Sequence, residues 1–137
     1  MPTKSKRAMN RMLNIFEPDG RDWMGYIMTE ENPYTFHHIK EQRFGGSWGP
    51  DNGAILTREA HEYLNYLEQY CPEAYDEYQA IFRYINSFQG PIPKDIYDDL
   101  YQRIYELGLD IYTKNGFTFL RKARDVHEER EKTEFHL

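Results

Sequence analysis

A histidine doublet, His37-His38, closes a short apolar run beginning at Tyr34, and a third histidine, His61, stands four residues before Asn65 in a segment with helical periodicity. Between them lie a glycine-containing stretch, Gly45-Gly46, and the turn-like Asp51-Asn52-Gly53. Splitting a phosphodiester requires a nucleophile made from water and a positive centre that absorbs charge on the leaving oxygen, which a base of near-neutral pKa beside a metal ion supplies. Imidazole, with an ordinary pKa of about 6.5, is the natural base. Residues at i and i+4 of a helix share a face, so His61 and Asn65 can converge on one ion. Two imidazoles and an amide oxygen make a mixed nitrogen and oxygen site of low selectivity: Mg and Mn lead, with Ni and Zn as further options, since hard Mg favours oxygen and imidazole suits the later metals. Taken singly, these residues have ordinary explanations. A His-His pair can end a polar strand, a helix histidine can be half-buried, and Asn-Gly is above all a turn signal because both residues tolerate positive φ. Their joint order and spacing carry the reading.

Adjacent residues of a regular strand point to opposite faces, so His37 and His38 can serve one centre only if the strand ends or bends there. The following segment, with Gly45, Gly46, Gly49 and Pro50, leaves regular pairing soon after the doublet. Arg43 lies in it and can offer a guanidinium fork to a phosphate oxygen.

The pattern from Tyr34 to Leu67, about a quarter of the chain, resembles the HNH (ββα-metal) endonuclease family. The resemblance implies that His37 and His61 hold a divalent metal, with Asn65 where some members carry one more ligand. It further implies that His38 activates water and that Asn52 braces the loop between the strands. The activity implied is metal-dependent cleavage or nicking of DNA. Two departures stand out. Asn65 occupies a place where histidine would be the stronger ligand, and with Cys71 as the sole cysteine there is neither a CxxC zinc knuckle nor a disulfide framework.

The 137 residues suit one domain with a modest core, to which 12 Tyr, 8 Phe and 2 Trp contribute heavily. A formal net charge of −6 runs against nucleic-acid binding, which favours a positive surface. Its distribution tempers this: residues 1–58 carry 8 Lys/Arg against 7 Asp/Glu, residues 59–110 carry 3 against 11, and residues 111–137 carry 6 against 5. The acidity belongs to the middle helices, which on this reading face away from DNA or toward a protein. The basic opening Lys4-Ser5-Lys6-Arg7, with Arg11, reads as a solvated terminus or a DNA-contacting arm. No stretch approaches the ~18 apolar residues of a membrane span and no secretory signal is visible, so a cytoplasmic location without membrane partners is expected.

The elements that must position these residues form an α+β chain: a ββα-metal hairpin–helix core over about 22–70, a helical cap over about 72–112 and a charged tail over 113–137, all in one domain. Trp23–Met28 reads as a strand entered from Pro18-Asp19-Gly20, Tyr34–Ile39 as the strand bearing the doublet, and Ala54–Leu56 as its partner. Thr57 stands as N-cap of a helix to about Tyr70. A second helix fits Pro72 to Phe88, with Tyr75, Tyr78, Ile81, Phe82 and Ile85 on one stripe. A third fits Pro93 to about Tyr112, with Ile96, Leu100, Ile104 and Leu107. Lys114-Asn115-Gly116 reads as a turn, Phe117–Leu120 as strand or helix start, and Arg121–Lys132 as an exposed charged run. The rival expectation is an HNH-derived scaffold without turnover, a phage or mobile-element accessory factor whose acidic, tyrosine-rich helices bind a protein.

Overall fold

The computed structural model describes residues 3–114. Among them four helices and one antiparallel hairpin follow in the order α1 (Lys4–Phe16), β1 (Tyr34–His38), β2 (Gly53–Thr57), α2 (Arg58–Tyr70), α3 (Pro72–Asn86) and α4 (Lys94–Lys114). The chain is thus α+β, with a small hairpin that passes straight into a helix, an arrangement compatible with a ββα core.

The strands pair in a register that sets Tyr34 opposite Thr57, Phe36 opposite Ile55 and His38 opposite Gly53. With a side-chain period of two, Thr35 and His37 turn toward α2 and α3, where His37 meets the Phe82 ring at 5.5 Å, while Phe36 turns toward α1. Gly53 is required at its position, since a Cβ there would come within 2.6 Å of the Phe36 ring and 2.8 Å of Met12. The hairpin is therefore layered between α1 on one side and the α2–α3 pair on the other.

The basic opening is not an extended arm but the helix α1. Thr3 caps it by accepting the Lys6 N–H at 3.2 Å, and Ala8, Met9, Met12 and Phe16 bury one face while Lys4, Lys6, Arg7 and Arg11 stay exposed. The apolar face, hidden in the sequence by the flanking charges, decides the conformation.

Trp23–Met28 also departs from expectation, forming a tight turn closed by a single bridge between Arg21 and Ile27 rather than a strand. The fully buried Asp22 carboxylate accepts the N–H groups of Met24 at 2.8 Å and Tyr26 at 2.9 Å, spending donors that a strand would give to a neighbour. Its other oxygen accepts both the Thr57 N–H and the Thr57 hydroxyl at 2.8 Å. Burial pushes this carboxyl up to about 6, against the opposing pull of the Thr57, Tyr26 and Met24 donors. Asp22 thereby fixes the residue that caps α2, whose Oγ1 in turn accepts the Ala60 N–H at 3.3 Å. Asn32 adds a second tie at the same helix end, accepting the Glu59 N–H at 2.9 Å.

Boundaries otherwise move by one or two residues: β1 stops at His38 instead of Ile39, β2 extends to Gly53 and Thr57, and α3 ends at Asn86 instead of Phe88. The apolar stripes hold in part: Tyr78, Ile81, Phe82 and Ile85 are buried on α3 and Leu100, Ile104 and Leu107 on α4, where Ile111 joins them, but Tyr75 and Ile96 are only half-buried. Lys114 is still helical, and the expectations for Asn115-Gly116, Phe117–Leu120 and Arg121–Lys132 lie outside the described residues. Among the described residues no helix is long and apolar enough to cross a membrane.

Candidate functional site

A cleft of about 390 Å³ opens between the end of β1, the loop after it and one face of α2, and His37, His38, Arg43, His61 and Asn65 all line it. Of the residues singled out by sequence, only Asn52 lies outside its wall. Asn52 instead holds the loop together: its Oδ1 accepts the Lys40 N–H at 2.8 Å, its Nδ2 donates to the Lys40 and Ser47 carbonyls at 3.0 Å, and its backbone carbonyl accepts the Ile39 N–H at 2.9 Å. One amide thus pins both ends of the segment that follows the doublet.

His37 is 6 % exposed and stands edge-to-face with His61, ring centroids 5.2 Å apart. The Gln79 amide of α3 fixes its tautomer. Nε2 of Gln79 must donate to the Ile39 carbonyl, 2.7 Å away, so Oε1 faces His37 Nε2 at 2.7 Å and accepts its proton. The lone pair of His37 is left on Nδ1. A parallel argument fixes His61. The Thr35 hydroxyl gives its one proton to the Leu56 carbonyl at 2.8 Å, so the 3.1 Å contact between Thr35 Oγ1 and His61 Nδ1 requires Nδ1–H to donate, leaving the lone pair on Nε2. Each imidazole has one nitrogen tied to an oxygen and the other free to donate electrons, the state in which histidine binds a metal.

His38 behaves differently. Its ring lies edge-on to Trp48 at 4.3 Å and to Phe36 at 4.9 Å, on the opposite side of the strand from His37, and its Nε2 is enclosed without a hydrogen-bond partner. The doublet does splay to two faces, and it is the end of β1 at His38 that lets the second ring border the same cleft. All three imidazoles are held below their ordinary pKa. Burial lowers His37 to about 4, and burial followed by the neighbouring His38 lowers His61. Burial also lowers His38. They are therefore neutral at pH 7, with lone pairs available.

Glu41, Glu68 and Tyr75 share the cleft and were not singled out by sequence. Glu68 falls three residues after Asn65 and seven after His61, the same face of α2, and that periodicity was the one available signal. The neighbouring Glu41 carboxyl raises that of Glu68, while Glu68 and Arg43 together lower that of Glu41. Arg43 forms an ion pair with Glu41. Gln79 lies 42 residues from His37 in sequence and carries no motif that would have found it.

The donor chemistry of His37 and His61 fits a divalent ion. Among the described residues no three His, Cys, Asp or Glu side chains are grouped so as to hold one. Comparisons with protein-family models, curated proteins and solved structures return no match to this chain.

Proposed function

We propose that this protein is a metal-dependent endonuclease or nickase of the HNH type that hydrolyses DNA phosphodiester bonds. The observation that carries the reading is the meeting of His37, His38, His61 and Asn65 on one cleft, with one lone pair left on His37 by its Gln79 partner and one on His61 by its Thr35 partner. His37, His61 and Asn65 would hold the ion, Mg or Mn before Ni or Zn, and the ion would supply charge stabilisation at the phosphate and the leaving oxygen. The cleft's own electrostatics support such an ion: a phosphate beside Glu41 and Glu68 is repelled unless a cation intervenes, and Arg43 is already engaged by Glu41. His38 takes the proton from the attacking water. Its enclosed Nε2 leaves Nδ1 as the nitrogen for that task. Asn52 keeps the loop folded around the end of β1, so that His38 and Arg43 keep their places at the cleft.

A second reading, a scaffold without turnover that binds a protein, is favoured by the aromatic residues left in solvent on the acidic helices, Tyr70, Tyr84 and Tyr105. Plasmid nicking with Mg or Mn, compared with excess EDTA, separates the two. The nuclease reading expects metal-dependent nicking that His38→Ala removes. Metal binding without any nicking by the wild type would favour the scaffold.

A further inference from the structure

Phe44 is the most exposed of the large apolar residues on the described surface, at 64 %, and it sits on the rim of the cleft, next to Arg43, which lines it. Single exposed apolar residues are commonplace, but this one stands on a turn whose backbone is fixed by hydrogen bonds. The turn Gln42–Phe44 is closed by Phe44 N–H to the Glu41 carbonyl at 3.0 Å, Gly45 N–H to Gln42 at 2.9 Å and Gly46 N–H to Glu41 at 2.9 Å. Gly46 lies so close to the preceding chain that a Cβ would fall 1.6 Å from the Lys40 carbonyl oxygen. Asn52 clamps Lys40 and Ser47 on either side of the turn. The same loop buries part of Trp48 against Phe36 and His38, yet turns Phe44 outward.

The Arg43 guanidinium lies over the Phe44 ring, 5.0 Å from its centroid, and its direction is set by the ion pair with Glu41. A guanidinium can cover only one face of a ring. We infer that Phe44 and Arg43 form a stacking platform for an unpaired nucleobase, so that the substrate of the adjoining cleft is a single-stranded or locally unpaired nucleic acid. This rests on the nuclease reading. Within a duplex each base face is already stacked on its neighbours, whereas an unpaired base offers a π-face to an aromatic ring or a guanidinium plane. The hydrogen-bonded turn fixes the backbone that carries the ring, which lowers the ordering cost of binding.

The test is fluorescence anisotropy of the full chain with a labelled single strand and with the same strand in a duplex, for wild type, Phe44→Ala, Phe44→Trp and Arg43→Lys. Wild type should bind the single strand more tightly. Phe44→Ala should weaken that binding about 5- to 100-fold with little change for duplex, and Phe44→Trp should retain it. Arg43→Lys, which keeps the charge and loses the plane, should fall between. Equal affinity of wild type and Phe44→Ala for the single strand, or equal losses for both forms, would overturn the platform. A wild type that nicks duplex with metal but prefers duplex in binding would sink the platform and leave the nuclease reading standing. Selective single-strand binding without metal-dependent cleavage would do the reverse.

Discussion

The hairpin–helix segment and α4 are built by different means. Around the hairpin, buried polar groups set positions: Asp22 on Thr57, Asn32 on the start of α2, Gln79 on His37 and Ile39, and Asn86 on the Pro50 and Gly53 carbonyls at 2.7 and 2.8 Å. Gln79 and Asn86 stand seven residues apart on α3, so one helix face buttresses both ends of the inter-strand loop. On α4 the buried side chains Leu100, Ile104, Leu107 and Ile111 form an apolar stripe, supplemented by the Tyr97 hydroxyl donating to the Asp19 carboxylate at 2.7 Å and the Tyr101 hydroxyl donating to the Asp22 carbonyl at 3.2 Å. Directional hydrogen bonds fix atoms to within fractions of an ångström, whereas apolar contact fixes area. The region that carries the histidine cleft relies on the first means, and α4 relies mainly on the second.

The sharpest way to break this contrast is through activity. His38→Ala should lower metal-dependent nicking by about 10²–10⁴-fold with an unchanged circular dichroism spectrum, as removal of a general base does. Ile104→Ala on α4 should cost about 2–5 kcal/mol in urea denaturation while the folded fraction nicks at the wild-type rate. A selective loss of nicking there, at unchanged stability, would mean that α4 does more than cover the core.

His37 is buried with its pKa lowered to about 4, so the native state binds protons less readily than the unfolded chain. Its contribution is therefore full above the unfolded value of about 6.5 and fades as pH falls toward about 4, with a total on the order of 3 kcal/mol. The Asp22 carboxyl, raised to about 6, acts with the opposite sign over the same window and stabilises the fold as pH falls. Denaturation midpoints of His37→Gln should therefore fall less than those of wild type between about pH 6.5 and 4; an identical pH profile in the variant would remove His37 from the acid response. Gln79→Ala should cost about 1–3 kcal/mol and weaken Mn binding, since it frees the His37 ring from its orienting partner. The smallest effect belongs to the acidic helices: reversing Asp98 and Asp99 to Lys should change nicking only by a salt-screened attraction. Loss of a co-purified protein in that variant would instead support the scaffold reading.

Much of the hairpin and α2 was legible in the sequence because local signals agreed there. An N-cap threonine opens α2, and three histidines with one asparagine fall at spacings that bring them to one cleft. Asn52-Gly53, by contrast, is no positive-φ turn: a short helical turn, Pro50–Asn52, leads into an extended Gly53 that already belongs to β2. What escaped was encoded by residues distant in sequence. The Trp23–Met28 run looks extended until the Asp22 side chain is seen to take its N–H groups, and α1 looks like a charged tail until Met12 and Phe16 find the hairpin. Glu68 was readable as one more position on the α2 face, but Gln79 was not readable at all, because its role is defined only by the approach of α3 to β1. The register of His37 and His38 behaved as strand geometry demands, with the two rings on opposite sides and a shared cleft only because the strand stops.

The central claim is a division of labour between His61 as ligand and His38 as base, and a metal titration of nicking tests it most directly. Wild type, His61→Ala and His38→Ala would be assayed over rising Mn concentration. Removing a ligand weakens the hold on the ion without removing the base, so His61→Ala should be inactive at low Mn and recover part of its rate as Mn rises, while His38→Ala should stay low throughout. Asn65→Ala should follow His61→Ala in milder form. Parallel curves for His38→Ala and His61→Ala, or full wild-type activity in excess EDTA, would contradict the account.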